Sequence, residues 1–454
     1  MAITAKLTTF DATMIVVSLV VGIGIFRTPA MVAAAAKTPA LFYAAWALGG
    51  LVSFIGALTF AEIGARFAKP GGFYKVVAEN YSSGLAFMLN WANVVILNGA
   101  GAAAVALIGA EYLTPLIFPD GPSGSAAVQV TAVVLIILLI VINYLGIKTG
   151  AWVQNLLSIL KVGMIGLLAL AALLTKRIPE GPAALPLDRP WIFALGVSFI
   201  YVFYAYGGYQ NTINFGADVR DAGRNIPRAI LFGILIVLAC YLTVNAAYVK
   251  ALGVPGVAEA KLVAAETARV TLGETGKIVV SLAIFLSAMG FLNVTLMQIP
   301  RVYYSMAEDR TLPAAFQKVN PKTQTQEFGL LFLGTIVLVS VFLLGTFESI
   351  VNYVMFLDTM TLAVVSSSIF ILRRKARLSG EAHKGYRVPL YPVLPLLFVV
   401  FMMAIAVNVL ATETREALYG AVVFALGFPV FLLMRRINRG RTEEATAVQD
   451  DQGH

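Results

Sequence analysis

The sequence predicts an all-α integral membrane protein of twelve spans, with the first and sixth spans discontinuous. Two observations predict it. Hydrophobic residues make up 59% of 454 positions and charged residues only 13%, with a mean hydropathy of +0.84, well beyond an ordinary soluble domain. Glycines also interrupt two otherwise apolar segments midway, at "GIGIF" (22–26) and "YAYGGYQN" (204–211).

A bilayer core needs about 20 apolar residues per helix. The segments that supply them are 11–36, 40–67, 84–117, 126–147, 151–175, 190–216, 227–251, 275–306, 328–346, 349–373, 391–411 and 415–436. The first apolar run is too long for a cleavable signal and leads straight into the second, so the chain is expected to be anchored. No linker divides it. Residues 1–437 read as one transmembrane domain, and the polar tail 438–454, which includes "TEEATAVQDDQGH", is expected to be disordered.

Each broken span opens a run of five spans, which divides the chain into repeats of about 11–175 and 190–373 with accessory helices at 391–437. Paired broken helices at matching positions of two halves are the sequence sign of an inverted-repeat secondary transporter. In hydrocarbon every backbone N–H and C=O must be paired, so an unwound stretch survives only inside protein or beside a polar cavity. A break exposes amides at the start of its second half-helix and carbonyls at the end of its first. The amides suit a carboxylate and the carbonyls an ammonium, which together describe an α-amino acid.

Glycine in a membrane helix also serves close packing, which explains "AGAAAVALIGA" (100–110). The first break differs because Gly22 and Gly24 are followed by Phe26, Arg27 and Pro29. In the second, Gly207 and Gly208 precede Gln210, Asn211, Thr212 and Asn214, an unusual polar density for a span.

The net charge of +9 is mostly topology. Lys and Arg concentrate in alternate loops: Arg66, Lys69 and Lys75; Arg220, Arg224 and Arg228; Arg310, Lys318 and Lys322; "LRRKARLSGEAHKGYR"; and "RRINRGR". Loop 115–125 has none and loop 411–416 only Arg415, so the positive-inside rule puts both termini in the cytoplasm. Loop 252–274 is the discordant one. The basic runs are short and not interleaved with exposed aromatics, which argues against nucleic acid. The one cysteine, Cys240, lies within span seven and reads as an inert apolar filler. Neither histidine, His383 nor His454, has a ligand set near it, so no metal site or cofactor is expected. No span carries a histidine or an acid pair at helical spacing, which argues against an enzyme, and no ring of charges marks a channel.

At this point four ordered motifs carry a resemblance: "GIGIFRTP" in span one, "FYAYGGYQNTINFGADVRDAGRNIPRAI" (203–230), "SMAEDRTLP" (305–313) and "RVPLYPVLP" (387–395). They resemble the amino acid–polyamine–organocation superfamily, and within it the L-type amino acid transporters and their bacterial relatives, over about residues 7–437. The resemblance implies a leucine-transporter-like fold of five-plus-five inverted repeats and an amino acid carrier in the cell membrane, working by alternating access as an exchanger or proton symporter. A polyamine carrier of the same fold and a non-transporting amino acid sensor are the alternatives.

Laid on this chain, the family pattern gives a substrate site of Val20, Gly22, Ile23, Gly24, Tyr204, Ala205 and Gly207. The amides of Ile23 and Gly24 would take the carboxylate, and the carbonyls of Val20, Tyr204 and Gly207 the amino group. Tyr204 would close over the substrate, and Tyr209 stands where the family usually has Trp. Ser18 replaces a common glycine, and Ala217, Asp218, Asp221 and Ala222 replace a Glu-Glu and Asn-Pro pattern. Lys161 in span five matches a lysine of sodium-independent members whose ammonium takes a sodium position near the first break. It is assigned to coupling, with Ser287 of span eight.

Intramembrane charges are costly and functional by default. Arg27 and Asp358 are expected to pair as an outer gate, or else Asp358 contacts a cationic substrate side chain. Asn90, Asn93, Asn98, Ser287 and Asn293 either line the cavity or bond between helices, while Glu62, Arg66 and Arg301 read as topology or inner-gate charges. Animal L-type relatives suggest a partner subunit, but the buried Cys240 offers no outer disulfide anchor, so no disulfide-linked subunit is expected.

Overall fold

Among the described residues, each segment predicted to span contains helix. The computed structural model describes residues 3–67, 69–93, 98–118, 125–175, 184–260, 262–343, 347–380, 385–412 and 414–451. His383 and His454 lie outside the described residues. In chain order the helices are α1 (Thr9–Val20), α2 (Gly24–Ala36), α3 (Pro39–Arg66), α4 (Gly72–Asn80), α5 (Ser83–Ala92), α6 (Gly99–Ile117), α7 (Ser125–Tyr144), α8 (Ile147–Leu174), α9 (Trp191–Tyr206), α10 (Ala222–Glu259), α11 (Val263–Leu272), α12 (Glu274–Glu308), α13 (Glu327–Leu343), α14 (Phe347–Leu378), α15 (Val393–Thr412) and α16 (Thr414–Asp451). Among the described residues, eight helices are long and apolar enough to cross a bilayer, and the bent pair α1 and α2 makes a ninth crossing.

Local chemistry sets the helix starts. Thr8 and Asp11 form a reciprocal capping box at the head of α1, and Thr38 caps α3 just before Pro39 at its first position. α1 ends where Val21 turns out of helix at φ −75° and ψ 81°. The chain passes through Gly22 and Ile23 and restarts at Gly24 with a 44° bend. The sixth span breaks after Tyr206: Gly207 is extended, Gly208 sits at φ +118°, and a 3-10 helix follows over Tyr209–Phe215.

The two breaks lie side by side. α2 packs along α9, and α1 packs against the 3-10 helix. Around them the apolar interior falls into two clusters. One, built on α6, α7, α12 and α13, contains Ala106, Ile136, Leu292 and Leu333. The other gathers α1, α2, α3, α8, α9 and α10, with Ile15, Phe26, Trp46, Ile165, Tyr206 and Val237.

Two expectations about loops and tails meet a different outcome. Segment 252–274, read as a loop, contains the separate helix α11, whose Val263, Ala264, Thr267 and Ala268 are buried at a helical period. α16 continues through Asp451 where a disordered tail was expected, and its Arg, Glu and Ala residues are good helix formers.

Candidate substrate and coupling site

The first break presents unpaired donors. As the leading groups of α2, the amides of Ile23 and Gly24 lack an intrahelical acceptor. The second break approaches so closely that a side chain at Gly208 would run into the Leu19 carbonyl oxygen, and its positive φ also requires glycine. Gly208 N–H donates to Gln210 Oε1 at 2.9 Å, so a side chain satisfies part of the unwound backbone.

Carbonyls at the two breaks are joined by a residue that the sequence did not single out. The hydroxyl of Tyr241, buried on α10, lies 2.9 Å from Val20 O and 3.1 Å from Ala205 O. Val20 O also accepts from Gly22 N–H at 2.8 Å, and Tyr204 O accepts from Gly207 N–H at 3.2 Å. Trp46 and Tyr206 pack edge-on and tilted against the Tyr241 ring, which holds its hydroxyl in place.

Lys161 is fully buried on α8, and its ammonium reaches the end of α1. Nζ donates to Val21 O at 2.7 Å, Ser18 Oγ at 2.8 Å and Ser18 O at 3.3 Å. Three acceptors match the three donors of an ammonium. Ser18, noted from sequence only as a departure from glycine, supplies two of them. Room for the head group comes from Gly290 on α12, where a Cβ would crowd both Ser18 Oγ and Lys161 Nζ. Snorkelling, the ordinary alternative for an intramembrane lysine, does not describe this side chain. Two further contacts sit on the same face of α8: Ser158 Oγ donates to Met14 O at 3.1 Å, and Asn155 Nδ2 to Asp11 Oδ1 at 2.6 Å. Successive turns of α8 therefore hold successive turns of α1.

The remaining sequence-selected residues fall as follows. Tyr204 is 40% exposed, whereas Tyr209 is buried and packs edge-on against Phe60. Asp358, partly buried on α14, lies within electrostatic reach of both phenols. Arg27 is exposed on α2, and its charge acts on Tyr112 of α6. Ser287 is buried on α12, its hydroxyl without a partner among the described residues. Asn293 bonds between helices, accepting from Asn143 at 2.7 Å and donating to Gln154 at 2.8 Å. Asn90 and Asn93 bond back to their own helix.

The charges at the helix ends are ion-paired. Glu62 accepts from Arg66 at 2.7 Å, Arg373 at 2.6 Å and Val388 N–H at 2.7 Å. Asp218 accepts from Arg301 at 2.6 Å, both side chains almost wholly buried, and the arginine lies over the Phe215 ring. Beside this pair the N-terminal segment is tied down: Leu7 N–H donates to Asp218 O and Arg220 N–H to Leu7 O. No group of three or more His, Cys, Asp or Glu capable of holding a metal occurs among the described residues.

The sequence pattern of amino acid permeases matches residues 7–428. The chain belongs to the amino acid permease family. This permease is 28% identical to the serine/threonine exchanger SteT of Bacillus subtilis, across 93% of this chain and 95% of the relative. It is 24% identical to the human b(0,+)-type amino acid transporter 1, covering 92% and 85% of the two chains. With the mouse large neutral amino acids transporter small subunit 2, identity is 26% over 92% and 79%. The permease is thus an amino acid transporter of the superfamily that its motifs resemble, and not an enzyme.

Proposed function

We propose that this permease is a secondary active amino acid carrier that holds its substrate between the two breaks and works by alternating access, principally as an exchanger. The single observation that carries this reading is the pairing of two side-by-side breaks with a lysine ammonium seated at the end of the first. The substrate carboxylate meets the amides of Ile23 and Gly24. Its ammonium takes the carbonyls of Val20, Tyr204 and Gly207, displacing the Tyr241 hydroxyl from Val20 O while that hydroxyl keeps Ala205 O. Gly22 belongs to the turn between the two half-helices, Tyr204 and Tyr209 border the side chain, and Ser287 stands with Lys161 in coupling.

Exchange is favoured over proton symport by the exchanger named among the relatives, and the three acceptors around Lys161 hold its head group at the end of α1. Twelve spans, repeats 11–175 and 190–373, a location in the inner or plasma membrane and cytoplasmic termini complete the reading. The mouse relative is named a small subunit, but Cys240 sits half-buried in α10, so this chain is proposed to work without a disulfide-linked partner.

The test is uptake of labelled serine, threonine, leucine and lysine into proteoliposomes, with and without internal amino acid and with and without an inward proton gradient. Exchange predicts uptake that needs internal amino acid and ignores the gradient. Gradient-driven uptake into empty vesicles would replace exchange by symport, and binding without counterflow would make the protein a sensor. Asp358→Asn separates two roles for the acid near the second break: general loss of uptake supports the Arg27–Asp358 gate, whereas loss of lysine uptake alone supports contact with a cationic side chain.

A further inference from the structure

Where α3 ends and α10 begins, a cleft of about 600 Å³ is lined by Ala65 of α3, by Gly223, Arg224, Pro227, Arg228 and Leu231 of α10, and by Gly385 and Tyr386. Its size is in the range of small-molecule sites, roughly 300–1,000 Å³. Arg224 and Arg228 are exposed, one turn apart, and among the described residues neither side chain has a carboxylate partner. They contrast with Arg66 and Arg373 behind the cleft, both neutralised by Glu62. The Tyr386 hydroxyl is buried and has no hydrogen-bond partner among the described residues. Burial pushes its phenol up to about 12, so it keeps its proton and remains a donor at neutral pH. Among the described residues no carboxylate lines the cleft.

Chain direction adds a second chemistry. From Arg224 and Arg228 the same stripe of α10 continues through Leu231, Leu235 and Leu242, at steps of three, four and seven residues. Leu235 and Leu242 are 49% and 42% exposed in a segment that crosses the bilayer. α3 packs on both α10 and α15, and the α10 stripe runs from the cleft into the apolar part of that helix. A cationic mouth above an apolar stripe matches a molecule with an anionic head and acyl chains.

We infer that this cleft is a binding site for an anionic glycerophospholipid, with Arg224, Arg228 and the Tyr386 hydroxyl on the headgroup phosphate and the acyl chain along Leu231, Leu235 and Leu242. A soluble phosphate would satisfy the donors equally well but leave the leucine stripe unused, which is why the lipid is the occupant. Such sites between membrane helices at a basic face are an expected mode of lipid recognition. The inference is independent of the substrate and coupling mechanism proposed above.

The test measures labelled phosphatidylglycerol retained by the full-length protein in detergent micelles, with labelled phosphatidylcholine alongside. Phosphatidylglycerol is expected to be retained and phosphatidylcholine released. The double variant Arg224→Gln/Arg228→Gln is expected to weaken retention by about 30-fold, from the usual contribution of two arginines near an anionic headgroup. Tyr386→Phe, which changes no charge, is expected to weaken it several-fold. Lys318→Gln/Lys322→Gln removes the same charge from another exposed loop and is expected to change nothing. Equal loss in that control would make the effect diffuse surface charge and overturn the site. Displacement by glycerol phosphate or inorganic phosphate at the concentration that competes with lipid would make it a soluble-anion site and overturn the lipid. Unchanged melting and elution of the double variant, whose side chains are exposed, guard against a folding artefact.

Discussion

At the scale of single residues, the site depends on two side chains that complete the hydrogen bonding of unwound backbone. Lys161 offers three donors to three oxygens of residues 18 and 21, and removing a charged donor from a buried set leaves each acceptor desolvated. Lys161→Met is therefore expected to lower counterflow by at least about tenfold, since one hydrogen bond to a charged group is worth about 1.5–3 kcal/mol. Size-exclusion elution checks that the variant remains folded, and normal counterflow would remove Lys161 from the mechanism. Tyr241 is subtler. Its one proton serves Val20 O and Ala205 O, and Tyr241→Phe keeps the ring packed against Trp46 and Tyr206 while deleting only that donor. A net hydrogen bond of about 1 kcal/mol corresponds to roughly a fivefold fall in exchange rate, read from initial rates of counterflow.

At the scale of elements, the contact between α8 and α1 is a ladder of three polar rungs, from Asn155 and Ser158 to Lys161. If α1 moves against the rest during transport, every rung must open together. Asn155→Ala removes the outermost rung without touching the break, and is expected to change exchange rate more than substrate affinity, a split visible in Vmax against KM. The pair of Lys75 on α4 with Asp309 and Glu308 behaves differently. Burial draws the lysine down, but its hydrogen bonds and charge contacts with the two acids raise it further, so the net shift is upward. A raised lysine contributes fully below its ordinary value of about 10.4 and loses that contribution only as pH climbs past it. Any pH dependence of uptake between 6 and 8 is thus expected to survive Lys75→Met. The breaks themselves were legible because glycine pairs inside an apolar run have no other local use with such polar neighbours, and Lys161 was legible because a charge in hydrocarbon stands out. Tyr241, Gly290 and α11 were not: a tyrosine or a glycine in a span looks like packing until the partner helix is known. The short amphipathic α11 is shorter than a span, so its sequence reads as a loop. Ser18 was visible as a departure, but its purpose needed the lysine beside it.

At the scale of the whole molecule, the basic residues collect at one end of the bundle, and contacts rather than sequence spacing show it. Lys75 meets Glu308 and Asp309, Arg373 meets Glu62, Lys375 meets the Glu79 carbonyl, and Lys6 meets the Lys322 carbonyl, so loops far apart in the chain share that face. The opposite end holds the Lys37–Asp188 pair, with Leu185 N–H donating to Lys37 O. Arg189 and Lys37 hold the exposed Asp188 carboxyl below the usual carboxylate range, so this strap between α2 and the segment before α9 persists at neutral pH and loosens only as pH falls through the carboxylate range. Asymmetry of this kind orients a membrane protein with its basic face inward. In a Cys240→Ser background, Ser379→Cys on the basic end and Ala184→Cys on the opposite end give opposite expectations for a membrane-impermeant maleimide. Ala184→Cys should label in intact cells, and Ser379→Cys only after the membrane is opened, both positions being exposed. The reverse pattern would invert the protein and move the cleft at Arg224 and Arg228 to the outer leaflet. Labelling of both in intact cells would mean that the two ends share one side, which is incompatible with the bundle as a membrane-spanning unit.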